Sequence, residues 1–340
     1  MDTLIYLDQN TLSELRVRKL EERNDPVFVL LKQVMLVPNV QLVYSHVTLE
    51  EINQISVEDF KKEHVDLLEE LDGRYIEPLF KTIGTRSPSQ VWDDFCENLI
   101  ENQKAGISDL SRVSELSTRK LSGLPIEENF EDINDSLKTS LKTLLDGCLE
   151  QLGNFDIEEL EEPLRSHFMN MKAQLPELQA RADSLIALPI SDNQQLGPKP
   201  FRELTQLKIP NIERLSVSQI VKTLEDIFET ENTSFKWTDY FEDSQQNRVS
   251  KAYTLMNWAG YHADDFDKVT KKGDRFRASN NDMMHAIMAM GAAFLLSNDN
   301  AFCKKAMACY AYAGVNTIVC SPQTFLRKYC KRKCKPLACI

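Results

Sequence analysis

A short apolar strand that runs straight into an aspartate occurs near both ends of this chain, and that recurrence limits what it can fold into. At the N-terminus Leu4-Ile5-Tyr6-Leu7 leads to Asp8-Gln9-Asn10-Thr11, with a helical pattern from Leu12 onward. Near the C-terminus Phe294-Leu295-Leu296 leads to Ser297-Asn298-Asp299. Just before that second strand, Ser279-Asn280-Asn281-Asp282-Met283-Met284-His285-Ala286 reads as a polar turn opening a closely packing helix. Asn281 or Ser279 is expected to cap that helix and place Asp282 in its first turn, where the helix dipole favours negative charge. A further junction follows Gln41-Leu42-Val43-Tyr44, where Ser45-His46-Val47-Thr48-Leu49-Glu50-Glu51-Ile52 opens another helix. Strand ends of a parallel sheet, and the helix starts beside them, are where α/β folds place their chemistry. If these acids converge, each pair 4 Å apart repels by roughly 1 to 4 kcal/mol between bulk-water and near-surface dielectric values. Converging carboxylates must therefore take up protons or a divalent cation. Oxygen ligands with open positions suit Mg²⁺ or Mn²⁺ better than zinc.

At 340 residues the chain is long for one compact domain, and two are expected. A net charge of −12 argues against a protein that coats nucleic acid over its whole surface, but it leaves room for a local basic groove. The first ten residues carry no basic stretch, so no secretory signal is expected. The longest apolar run, from Ala286 to Leu296, is too short to span a bilayer. Eight cysteines without small-scaffold spacing read as reduced thiols, and the expected location is cytoplasmic.

Residues 1 to about 80 carry an α/β pattern: strand 3–7, a helix near 11–22, an apolar helix at 27–37, strand 41–44, and a helix from about 48 to 70 closed by Gly73. From about 85 to 245, leucine and isoleucine recur at helical spacing with few glycines, which predicts a block of five to seven helices. Residues 127–162 hold twelve Asp/Glu against two lysines, either a solvated helical face or a docking surface for a basic regulatory protein. The α/β pattern returns with a helix at 245–260, the helix at 282, strand 294–296, a helix at 300–312, strand 316–319 and a last helix at 322–330. The expected organisation is one α/β domain formed by 1–84 and 246–340, interrupted by an all-α insertion at 85–245.

The order of these elements resembles the PIN domain family of metal-dependent nucleases. In that family the first acid ends strand one, as Asp8 does here, and a glutamate follows strand two in a Thr-Leu-x-Glu-Leu-like context. Thr48-Leu49-Glu50-Glu51-Ile52 fits that context and points to Glu51 rather than Glu50. The third acid opens an Asp-x-x-x-Ala helix, matched by Asp282 to Ala286, and the fourth lies in Ser297-Asn298-Asp299-Asn300-Ala301-Phe302. A small polar residue two after the first acid is common in the family, and Asn10 stands there. The resemblance covers about 1–70 and 260–325. The helical block has no counterpart in compact members.

The resemblance implies a PIN-like three-layer α/β/α domain with a parallel sheet. It also implies a Mg²⁺- or Mn²⁺-dependent endonuclease holding one or two ions on Asp8, Glu51, Asp282 and Asp299, with RNA favoured over DNA and a toxin–antitoxin or defence role as one setting. Two divalent ions about 3.5–4 Å apart can activate water and relieve charge on the leaving oxygen. Asn10, Ser297 and Asn298 are candidates to orient a ligand or phosphate. Lys268, Lys271, Lys272, Arg275 and Arg277 crowd into ten residues before Asp282 and could hold a phosphate backbone; a solvated loop is the alternative. A second basic stretch runs from Arg327 to Lys335. His285 is expected to pack beneath the site. Asp8 and Asp299 could instead be helix caps, with Glu51 a solvated acid. Two other functions stay open. One is a catalytically silent PIN-like scaffold that recruits partners through its helical block. The other is a haloacid-dehalogenase-like phosphatase using Asp8 as nucleophile, although Asn10 stands where that chemistry needs an acid.

Overall fold

The computed structural model describes residues 2–77, 82–104, 107–122, 124, 126–154, 162, 164–185, 201, 203, 212–231, 242–264 and 275–330. Contacts divide the chain into two compact units: 1–95, 202–232 and 241–340 form one, and 96–201 with 233–240 form the other.

The first unit is built on a five-stranded, all-parallel sheet. Its strands are β1 (Thr3–Leu7), β2 (Val40–Tyr44), β3 (Arg74–Tyr75), β4 (Phe294–Leu296) and β5 (Ile318–Cys320), in the spatial order β3-β2-β1-β4-β5. From β1 the chain first adds β2 and β3 on one side, then returns much later to add β4 and β5 on the other. The strand order therefore reverses between β1 and β4, the kind of crevice in which open α/β sheets bind ligands. In register, Leu7 lies opposite Leu296, so Asp8 and Ser297 leave the sheet side by side.

Alternation along the strands sets the two faces. Ile5, Leu7, Leu42, Tyr44, Phe294 and Leu296 share one apolar cluster with Phe28 and Leu31 of α3 (Pro26–Met35), Val65 and Leu68 of α5 (Glu58–Glu70) and Phe325 of α14 (Pro322–Phe325). Val91, Trp92 and Phe95, from the first turns of α6 (Pro88–Lys104), join the same cluster. Tyr6, between Ile5 and Leu7, faces the other side and meets α12 (Arg275–Met288). There α12 packs with α11 (Gln245–Ala259) and α13 (Asn300–Ala313), and Tyr310 of α13 donates a 2.6 Å hydrogen bond to the carbonyl of Ala286. Ala286 and Ala289 are fully buried, as a helix lying close to a neighbour requires.

Local chemistry explains most element ends. Asp25 caps α3 ahead of a proline at its first turn, and Gly314 adopts a left-handed conformation (φ 69°) that closes α13. The predicted helix at 11–22 is two helices, α1 (Gln9–Glu14) and α2 (Val17–Arg23), and the one at 48–70 is α4 (His46–Asn53) followed by α5. The sequence gives no signal for the two-residue β3, which is too short to show alternation.

The largest correction concerns α12. It begins at Arg275, so Asp282 lies in the helix interior rather than its first turn, and neither Ser279 nor Asn281 caps it. Phe276 is buried, so packing carries the helix back through residues whose polar character suggests a turn. Ser279 and Asn281 instead spend their side chains on other elements.

α7 (Ile107–Leu121), α8 (Phe130–Asn154) and α9 (Leu164–Leu185) pack in succession within the second unit. Val113, Ile133 and Leu137 form one seam, and Leu145 and Leu175 another. The helix α10 (Ile220–Glu231), which the sequence pattern groups with the helical block, packs on α11 and α13 of the sheet-bearing unit. No described helix is long and apolar enough to cross a membrane.

Candidate active site

The site is built outward from the end of β1. Asp8 is the N-cap of α1: one carboxylate oxygen accepts from the Thr11 amide at 2.8 Å, and the other accepts from the Ser297 hydroxyl at 2.6 Å. Ser297 is fully buried, and its hydroxyl oxygen also accepts from the Asp299 amide at 2.9 Å. Asp299 in turn caps α13, accepting from the Phe302 amide at 2.9 Å. Both strand-end aspartates are therefore helix caps. That role uses one lone pair on a carboxylate oxygen and leaves others for a further ligand. Asn10, Asn298 and Asp299 are exposed beside the buried Asp8. Gln9 Oε1 and Thr11 Oγ1, flanking Asp8 in sequence, are buried and have no hydrogen-bond partner among the described residues.

A second group surrounds Glu51. His285 is buried, with Nε2 at 2.8 Å from one Glu51 carboxylate oxygen, while the Asn281 amide donates to the other at 3.0 Å. A carboxylate only accepts, so His285 Nε2 carries a proton. The other ring nitrogen lies 2.7 Å from the Tyr6 hydroxyl, which is itself 2.8 Å from the Ser45 hydroxyl. Glu51, His285, Tyr6 and Ser45 thus form one hydrogen-bonded line from α4 through α12 and β1 back to the start of α4. Burial alone would lower the proton affinity of His285, but the Tyr6 oxygen and the Glu51 carboxylate outweigh it and raise its pKa well above the ordinary histidine value.

The third group went unread in the sequence. Lys305 of α13 is fully buried, its ammonium 2.7 Å from an Asp264 carboxylate oxygen, 3.3 Å from Asn257 Oδ1, and 4.5 Å above the centre of the Tyr253 ring. Ser279 donates to Asp264 at 2.5 Å and receives a bond from Asn257 at 3.2 Å. A lysine beside Lys304 on an exposed-looking helix carries no sign of burial in the sequence, and Asp264 sits in a connection without a motif.

Electrostatics tie these groups together. Burial raises the pKa of Asp282 to about 7; Lys305 and His285 act to lower it, while Asp264 and Asp299 add to the rise. Burial also raises the pKa of Asp8 from its ordinary value, against the hydrogen bonds from Ser297 and Thr11. Glu50 is raised by partial desolvation, with the positive charge of Arg277 pulling the other way. So Arg277 of the basic stretch lies in electrostatic reach of Glu50. Lys268, Lys271 and Lys272 fall outside the described residues, as does the side chain of Arg275, and the basic stretch at 327–335 is described only as far as 330.

Among the described residues, no three His, Cys, Asp or Glu side chains are gathered closely enough to make a ready cation cage. Mg²⁺ does not require one, because it keeps several waters and is usually held by one or two carboxylates plus substrate phosphates. The donors here are carboxylates with spare lone pairs, and burial is what draws protons to Asp8 and Asp282. That donor set fits a hard divalent cation. Comparison of the chain with protein-family models, with curated proteins and with solved structures returns no match.

Proposed function

We propose that this chain is a Mg²⁺- or Mn²⁺-dependent endonuclease of the PIN type that hydrolyses phosphodiester bonds, RNA being the favoured substrate. The observation that carries the reading is the pairing of Asp8 with Ser297 at the reversal point of the sheet, beside Asp299, whose charge acts on Asp282. In this reading Asp8, Asp282 and Asp299 hold the cation, with Glu51 contributing through water. When bound, such a cation lowers the pKa of its water and offsets charge on the phosphate oxygens.

The chain's own residues prepare the site. Ser297 orients Asp8, and His285 with Asn281 fixes both oxygens of Glu51. The exposed Asn10 and Asn298 can meet a phosphate, and Arg277 supplies a positive charge on the approach. The helical unit, with Glu131, Asp132 and Asp135 exposed on α8, offers an acidic face suited to a basic regulatory protein.

The test is incubation of the full chain with end-labelled single-stranded RNA in Mn²⁺, with EDTA and the Asp8→Asn variant as controls. Internal cuts that vanish in both controls support the reading. Release of phosphate from small monoesters without RNA cleavage would support a phosphatase, and neither activity would leave a scaffold.

A further inference from the structure

We infer that Ser13 and His64 form a nucleophile–base pair, a second reactive site that takes small acyl or phosphonyl electrophiles. It uses none of the residues proposed to hold the cation, and it stands whether or not the chain cuts RNA.

Ser13 lies near the end of α1 and His64 in the middle of α5, 51 residues on, and the fold brings Ser13 Oγ to 2.8 Å from His64 Nε2. The other ring nitrogen, Nδ1, is 2.6 Å from the Phe60 carbonyl oxygen, one turn back on α5. A carbonyl oxygen only accepts, so Nδ1 carries the ring proton, and in the neutral imidazole Nε2 offers its lone pair. Burial favours that neutral form by lowering the pKa of His64. Ser13 Oγ is therefore the donor. This is the arrangement in which a histidine can take a serine proton while a third group holds its tautomer. His64 is buried and its ring is held at both nitrogens, whereas Ser13 is only half-buried and can be met by a reagent.

The surroundings suit an attacked carbonyl or phosphonyl group. Arg16 Nε donates to the Ser13 carbonyl at 3.2 Å, Nη1 donates to Glu63 at 2.9 Å, and the guanidinium stands 5.2 Å from the centre of the Phe60 ring. Those contacts fix a positive charge against the residue that bears the nucleophile, where it favours a developing oxyanion. A surface hollow of about 280 Å³ between α2 and α5 is lined by Val17, Arg18, Glu63 and Leu67, among others. Glu63 belongs both to this hollow and to the ion pair with Arg16, so room for the body of a small electrophile adjoins the pair. With an ester, Ser13 Oγ bonds to the carbonyl carbon and its proton passes to Nε2. The bond to the leaving alcohol then breaks, and the alcohol departs with that proton. Water repeats the sequence on the acyl group and returns Ser13 as the acid leaves.

The test is a fluorophosphonate, incubated with the full chain in EDTA and located by peptide mass spectrometry. Attack forms the Oγ–P bond and breaks the P–F bond, the proton going to His64 and the fluoride to solvent. Ser13 is expected to carry the adduct. His64→Gln, its fold checked by circular dichroism, should slow that labelling roughly 100-fold or more. The wild-type chain unfolded in urea keeps both residues and loses their geometry, so it should slow by a similar factor even if the variant does not fold. No adduct at Ser13 of the native chain would overturn the inference, as would equal rates in the native and unfolded chains. An unchanged rate in folded His64→Gln would also overturn it. RNA cleavage in Mn²⁺ is a separate readout that none of these outcomes moves.

Discussion

The Ser297 hydroxyl donates a 2.6 Å hydrogen bond to the Asp8 carboxylate although 289 residues separate them in the chain. Both groups are buried, and the same hydroxyl oxygen receives the Asp299 amide. One small side chain thereby sets the positions of two acids on neighbouring strands. Ser297→Ala should leave an acceptor and a donor short of a partner and cost about 1–3 kcal/mol. Urea unfolding measures it, and an unchanged midpoint would mean that water replaces the hydroxyl.

Asp8→Asn separates charge from capping. The amide oxygen can still accept from Thr11, so the start of α1 should hold and the melting temperature should change little. RNA cleavage in Mn²⁺ should be lost. Full activity in this variant would remove Asp8 from the chemistry.

His285 touches Glu51 on one side and Tyr6 on the other. Its replacement by alanine should free Glu51 to turn and reduce metal affinity or activity about 10–100-fold, the usual effect of losing a group that orients a ligand. Tyr6→Phe breaks the same line one step farther away and should have a smaller effect on activity. Titrating Mn²⁺ into both variants gives the ranking, and a larger loss in Tyr6→Phe would contradict it.

Asp282 makes stability depend on pH in a stated direction. Its folded pKa of about 7 lies above the unfolded value of 3.8, so between them the folded chain holds the extra proton. Stability is fully supported below the lower value and declines as pH rises through the upper one. In EDTA the melting temperature should therefore fall from pH 4 to pH 7, and Asp282→Asn should flatten part of that slope. Mg²⁺ bound at the proposed site of the native chain should restore stability most at the high-pH end. A wild-type slope identical to that of the variant would exclude Asp282 as its source.

Arg277 is exposed and close enough to Glu50 to act on its charge. Arg277→Ala should weaken RNA binding alike for different sequences and reduce the slope of log affinity against log salt by about 1. Fluorescence anisotropy across a salt series reads both, and an unaltered slope would take Arg277 off the RNA path.

The strand ends were legible because their signal is local. Leu4 to Leu7 and Phe294 to Leu296 are apolar runs that stop at Asp8 and Ser297, and a parallel sheet aligns such ends by its own register. The burial of His285 was also legible, since it falls one turn beyond Asp282 on the same helical face. The start of α12 was not, because burial of Phe276 overrides the turn-forming look of Ser279-Asn280-Asn281. Nor was Lys305: a lysine goes into a core only when a carboxylate such as Asp264 arrives from elsewhere in the fold, and nothing in the neighbouring sequence announces that meeting.

The central position of β1 has a consequence during synthesis. Its β2 side is covered early, whereas its β4 side waits until Phe294 to Leu296 has left the ribosome. Until then an apolar strand edge stays open and invites pairing with other chains. A polypeptide stalled before Phe294 should thus be prone to pair with other chains, and the closing of that edge belongs to the last stage of synthesis.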